Sequence, residues 1–306
     1  EGNALFGQWT YSKKGISLIL LSALMFGSYG IWSRLMGGYF DVFYQGWTRA
    51  LIITVLLFPF LYLKKQLVLI KKNDMRWFIT YLCFTSFTQA PLYYAYNHMD
   101  IGTATVLFFA TMLLTMYSFG FIFLGEKLSK VKIMAFIIAC AGLFVSFSFS
   151  LTAFSLLAAF MAILNGVASG GEVSSSKKLS GTYSALYITW LSWVIILITN
   201  LPVSLLLGEV QHLPSFSIVW LYQLGYVIAG IVGFWSIIEG LKYVEASIGG
   251  LIGLLEVVFS IVFGIIIFSE GLNMRSGLGA LLVLSAASLP HIAEIYRNKF
   301  SLKSSS

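Results

Sequence analysis

Ten apolar runs, each close to the length needed to cross a bilayer, occupy nearly all of this 306-residue chain. They fall at roughly 15–36, 42–63, 76–97, 103–124, 132–150, 154–176, 183–207, 216–238, 247–268 and 276–296. A helix needs about 20 apolar residues to span a hydrocarbon core about 30 Å thick. In lipid, only helices and closed barrels satisfy every backbone polar group. The alternating apolar and polar pattern of a membrane barrel is absent. Charged residues make up 10% of the chain and hydrophobic ones 58%, with mean hydropathy +0.88; a soluble domain carries about 25% charge. The expectation is an all-α integral membrane protein with ten transmembrane helices joined by connections too short to fold as a soluble domain.

A net charge of +7 would suit a nucleic-acid surface, but its distribution reports topology. With the N-terminus in the cytoplasm, the inner side holds Lys13, Lys14, Lys64, Lys65, Lys71, Lys72, Arg76, Lys127, Lys130, Lys132, Lys177, Lys178, Lys242, Arg297, Lys299 and Lys303, 16 of the 19 basic residues. Arg34 and Arg275 lie outside, and Arg49 falls within a run. The excess of basic residues in cytoplasmic loops places both termini in the cytoplasm and agrees with an even number of crossings. The first run ends on Trp32 and Arg34 rather than a small-residue cleavage site, unlike a signal peptide. Residues 1–10 and 304–306 read as disordered. Cys83 and Cys140 sit inside apolar runs and read as packing residues, with no disulfide or metal spacing.

The chain matches itself weakly at two offsets. Gly27 and Tyr44 align with Gly166 and Tyr183; Phe119, Gly120, Glu126 and Leu128 align with Phe263, Gly264, Glu270 and Leu272. The matches fall at corresponding places in two sets of five helices, over 11–150 and 151–300. Five is odd, so the second set must cross in the opposite sense to the first, which gives two inverted five-helix repeats. Carriers are commonly built this way, with the substrate site near the midplane between the repeats.

Three motifs carry a family resemblance: the aromatic end of helix three (P-L-Y-Y-A-Y-N-H-M, 91–99), the arginine early in helix two (G-W-T-R-A-L, 46–51) and the G-E-K-L loop after helix four (125–128). With the helix count and the repeat, the chain resembles the EamA-type carriers of the drug/metabolite transporter superfamily over nearly its whole length. The resemblance implies a central cavity formed by both halves, with helices five and ten peripheral. It implies secondary transport of small metabolites by alternating access, export more than import. The second half departs from the pattern, because G-E has become Ser269-Glu270 and Ile188 stands opposite Arg49.

The residue that most invites a function is Glu256. It lies about ten residues from either end of the run 247–268, with no lysine, arginine or histidine within one turn. At about 1.5 Å per residue that depth is about 15 Å, the middle of the bilayer, where an ionisable group is costly and points to a functional site. Three roles are open: proton coupling or substrate contact, a structural pair with Arg49, and an interface. Gly253 and Gly249, at i−3 and i−7, would let a backbone or substrate approach it.

Gln89, Tyr93 and Asn97 share a spacing of four and would line one helical face beside Pro91, which frees a backbone carbonyl. Thr111 and Thr115 on helix four and Asn165 on helix six are further substrate candidates, although small polar residues in membranes also serve as interhelical glue. Glu172 lies about a turn and a half from Lys177, so a solvated ion pair competes with a ligand role. Glu239 precedes Lys242 by three, a spacing for a helical ion pair. Arg49 reads equally as a residue snorkelling to the outer surface. Trp190, Trp193 and Trp235 lie deep enough to stack on a flat or cationic ligand.

No catalytic, metal or nucleotide-binding motif is present, so neither an enzyme nor a primary pump is expected, and no cofactor. The reading is a secondary active transporter in a bacterial-type plasma membrane, moving an amino-acid-like or cationic, nucleoside-like metabolite and coupled to protons. The alternative is a non-transporting receptor or scaffold on the same fold. Its partners are the bilayer, a small-molecule substrate and protons, with no nucleic acid. Gly277 and Gly279 suit packing within one chain or a dimer contact, so monomer and dimer both stay open.

Overall fold

The computed structural model describes residues 13–99, 101–147, 155–271 and 274–303, with side chains as far as Ala293. The expectations for residues 1–10 and 304–306, the side chains of Arg297, Lys299 and Lys303, and the repeat position Leu272 lie outside the described residues. Within them the chain is all-helical. The helices are α1 (Lys13–Gly27), α2 (Tyr29–Met36), α3 (Val42–Leu63), α4 (Met75–Thr85), α5 (Ala90–His98), α6 (Ile101–Phe123), α7 (Lys130–Ser146), α8 (Leu156–Ser180), α9 (Ala185–Leu206), α10 (Ile218–Gly240), α11 (Ala246–Gly253), α12 (Leu255–Phe268) and α13 (Met274–Lys303).

Eight stretches among the described residues are long and apolar enough to cross a membrane; two of them are the joined pairs α1–α2 and α11–α12. The chain is a multi-pass membrane protein, and its faces are sorted accordingly. Val55, Phe58, Ile137, Phe144 and Leu281 point outward, whereas Gln45, Arg49, Asn165, Glu172, Ser192, Asn200 and Gln223 are buried. The third and fifth runs differ from their sequence reading. The fifth is a helix of 17 residues, α7. The third is not one helix but α4 and α5, separated by residues 86–89.

Pro91 explains that break. It stands in the first turn of α5, where its missing N–H costs no helical bond. It leaves the carbonyl four residues back, that of Phe87, without its helical donor. The buried Asn165 of α8 supplies one, Nδ2 donating to Phe87 O at 3.0 Å. The first and ninth runs bend where small residues occur, at Gly27–Ser28 and after Gly253, as helix kinks commonly do. Elsewhere serine hydroxyls cap helix starts: Ser129 on α7, Ser155 on α8 and Ser184 on α9 each accept an N–H from the first turn.

The packing is reciprocal between the two halves. α1 runs along α10 and against α11 and α12; α8 runs along α4 and α5 and against α6. α3 lies on α9, and α7 on α13. Gly279 of α13 lies against Gly142 and Ser146 of α7, a close contact within the chain. The bends of α1 and α12 meet at Gly27, where an added Cβ would come within 2.9 Å of Glu256 O and 2.7 Å of Phe259. Ser260 Oγ donates to Gly27 O at 2.9 Å. In the other half Gly166 meets Phe108, Thr111 and Met112 of α6 just as closely.

Candidate functional site

Glu256 is the second residue of α12, immediately after the bend. It is half-buried, and among the described residues it forms no ion pair, with Arg49 or any other cation. One turn before it, the position a Cβ would take on Gly253 opens onto empty space for 4 Å. Gly249 and Gly250 are instead filled by Leu241 and by Leu113 and Met116.

Arg49 of α3 does not snorkel. It is 1% exposed, and its guanidinium carbon lies 3.8 Å from the Tyr226 ring centre and 4.8 Å from those of Tyr29 and Trp193. Desolvated cation–π contacts contribute about 2 kcal/mol each, against a burial cost of several kcal/mol for an ion. Tyr93 of α5 stands edge-on to Phe43 at 5.3 Å. Arg49, Tyr29, Trp193 and Tyr226 therefore form one connected group drawn from α2, α3, α9 and α10.

The other candidates fall elsewhere. Gln89 lies in the gap before α5 rather than on its face and accepts from Asn200 Nδ2 of α9. Asn97 is exposed and donates to Tyr93 O. Thr111 and Thr115 bond carbonyls of their own helix, at 2.6 and 2.8 Å, and face Gly166 and Gly170 of α8. Trp190 donates to Thr54 O at 3.1 Å on the α3–α9 seam. Trp235 is half-buried against the main core. Glu239 pairs with Lys242 at 2.6 Å, at the spacing the sequence offered.

Glu172 does not pair with Lys177. It is buried and accepts from Thr85 Oγ1 of α4 at 3.0 Å and Ser192 Oγ of α9 at 2.5 Å. Lys177 pairs with Glu126, in the loop after α6, at 3.2 Å. Glu126 also accepts from Ser247 Oγ at 2.7 Å and from the first N–H groups of α11, where a carboxylate complements the helix dipole. Burial alone would lift its carboxyl, but Lys177 and these donors outweigh it and hold Glu126 below the usual carboxylate range. Glu245, paired with Lys132, goes the other way because burial dominates. In the second half Glu270 pairs with Arg34.

Sequence reasoning passed over Tyr29 and Tyr226, and gave Arg49 and Trp193 no firm role. The usable signal was a cation well inside an apolar run, Arg49 in the run 42–63.

The fold and the group define a multi-pass helical membrane protein with a polar, aromatic interior. The EamA-like transporter family matches the chain twice, over residues 13–148 and 156–289, and the chain belongs to that family. A crystal structure described only as that of a protein has the same fold, with TM-score 0.74 at 15% identity over 92% of this chain and 98% of the other. No curated protein matches the sequence significantly.

Proposed function

We propose that this protein is a secondary active transporter that moves a small metabolite, amino-acid-like or cationic, across a bacterial-type plasma membrane and couples the movement to protons at Glu256. The observation that carries the reading is a carboxylate at the bend of a membrane-spanning stretch, with no ion pair among the described residues and beside open space at Gly253. Such a group exchanges a proton or a ligand without breaking a structural pair.

Ten crossings in two inverted repeats, termini in the cytoplasm, accommodate the eight long helices, the broken α4–α5 and α7. Alternating access is supported by the ion pairs at the two ends of the bundle. Glu126–Lys177 and Glu270–Arg34 join repeat-equivalent glutamates to cations on α8 and α2. One is largely enclosed, with side chains 4% and 21% exposed; the other stands open, at 50% and 58%. An asymmetry of this kind is what a carrier closed at one end presents.

The test uses the purified chain in proteoliposomes with an imposed pH gradient and a panel of labelled metabolites. Gradient-driven flux is expected, and Glu256→Gln should lose the gradient dependence while retaining exchange. Binding without flux would indicate a receptor, and an unchanged pH response in Glu256→Gln would sink the coupling role.

A further inference from the structure

A groove lies where α4 begins and α6 and α8 end. It holds about 310 Å³ and is lined by Arg76, Trp77, Thr80, Phe84, Phe119 and Phe123. Its walls are fixed by packing. Trp77 stands edge-on to Phe119 and to Phe123, 5.7 Å between ring centres in each case, and the Phe84 ring lies against α8 at Gly171, where no Cβ would fit. Arg76 and Phe84 are about two turns, or about 12 Å, apart along α4, so the groove runs from the helix ends into the apolar depth of the bundle. Ile79, Ile122 and Phe123 around it are exposed, and in a membrane-spanning protein such faces meet acyl chains.

The mouth of the groove is cationic. The Arg76 guanidinium carbon lies 5.5 Å and the Lys178 ammonium 5.7 Å from the Trp77 ring centre. Both side chains are exposed, and neither forms an ion pair among the described residues. Asp74, two residues before Arg76, accepts from the Tyr183 hydroxyl at 2.9 Å. Lys177, next to Lys178, is committed to Glu126 and to Val244 O. Two cations without a carboxylate partner therefore flank an indole, a ring that favours the headgroup level of a bilayer, above an aromatic slot. Basic pockets of this kind between membrane helices take anionic headgroups. A choline lipid brings its own cation to such a mouth, whereas a glycerol lipid leaves its phosphodiester charge free for Arg76 and Lys178.

We propose that this groove binds one anionic glycerophospholipid, its phosphodiester between Arg76 and Lys178 and the upper part of an acyl chain against Phe84, Phe119 and Phe123. The bound lipid joins α4, the first piece of the broken third run, to the ends of α6 and α8. The site shares no residue with the group around Arg49 or with Glu256, and it does not depend on what the protein carries.

The experiment places the full chain in phosphatidylcholine nanodiscs containing a minor share of phosphatidylglycerol with brominated acyl chains. Quenching of Trp77 is read as the difference between the parent and Trp77→Phe. It should saturate while the brominated phosphatidylglycerol is still scarce, and brominated phosphatidylcholine at the same share should quench in simple proportion to its amount. A basic residue at an anionic lipid surface contributes about fivefold in affinity, so Arg76→Gln combined with Lys178→Gln should raise the half-saturating share roughly 25-fold. Should the double variant fail to fold, as judged by its size-exclusion profile, each single variant should raise that share about fivefold. Equal quenching by the two lipids would make the groove ordinary lipid contact. A preference unchanged in the folded variants would place the anionic lipid elsewhere, and protection of Trp77 from both lipids would put a second copy of the chain over the groove. Each of these results overturns the site.

Discussion

Two glutamates within membrane-spanning helices show how differently one residue type is used in this protein. Glu172 is held by the hydroxyls of Thr85 and Ser192, three helices meeting at one carboxyl group. Glu256 has an open flank at Gly253. The first arrangement ties helices together; the second leaves the group available. Removing one donor leaves a buried acceptor short of a partner, at a cost of about 1–3 kcal/mol. Ser192→Ala should therefore lower the melting temperature in detergent, and Ser192→Thr should restore most of the loss. A variant as stable as the parent would show that Glu172 needs neither hydroxyl. In the sequence, Lys177 lies near Glu172, so an ion pair between them competes with a ligand role for Glu172. The fold gives Lys177 to Glu126 instead, a pairing across 51 positions that no local spacing contains.

At the scale of elements, the turn after α12 carries a visible compromise. Ser269 adopts φ 54° and ψ 33° at the end of that helix, and the repeat-equivalent residue after α6, Gly125, has φ 70°. After both helices the N–H of the following glutamate reaches back to a glycine carbonyl, Glu126 to Gly120 at 2.9 Å and Glu270 to Gly264 at 3.2 Å. The turn is the same, but only the first copy uses the residue that enters the left-handed region without penalty. For a residue with a Cβ that conformation costs about 1–2 kcal/mol. Ser269→Gly should thus stabilise the protein by about 1 kcal/mol in thermal or chemical unfolding, with transport retained. A destabilised Ser269→Gly would mean the serine hydroxyl contributes more than the backbone strain removes.

At the scale of the whole molecule, the two halves are joined by reciprocal contacts. Tyr44, opening α3, donates to His212 O in the segment before α10, at 2.5 Å; Tyr183, just before α9, donates to Asp74 before α4, at 2.9 Å. The same reciprocity sets Glu126 against Lys177 and α11, and its effect on stability has a definite sign. The folded state holds the Glu126 carboxyl below its ordinary value. Its stabilisation is therefore complete above the usual carboxylate range and is lost as the pH falls through the folded value. Unfolding followed from neutral to acid pH should show this loss, and Glu126→Gln should be less stable at neutral pH and flatter in acid. Parallel curves for the two proteins would remove Glu126 from the acid response.

The sequence by itself determined that the protein is helical and membrane-spanning, and where most helices lie, because lipid leaves the backbone few choices and each run is long enough to declare itself. It also marked Pro91 as a disturbance and Glu126 and Glu270 as counterparts. Tertiary structure alone decided which polar groups meet. Arg49 finds Trp193 and Tyr226, Asn165 finds the carbonyl that Pro91 frees, and Glu172 finds Thr85 and Ser192. The physical reason is that a helix in an apolar run carries almost no amphipathic signal to fix its rotation. That rotation is set by glycine contacts such as Gly27 on α12 and Gly166 on α6, between segments far apart in the chain.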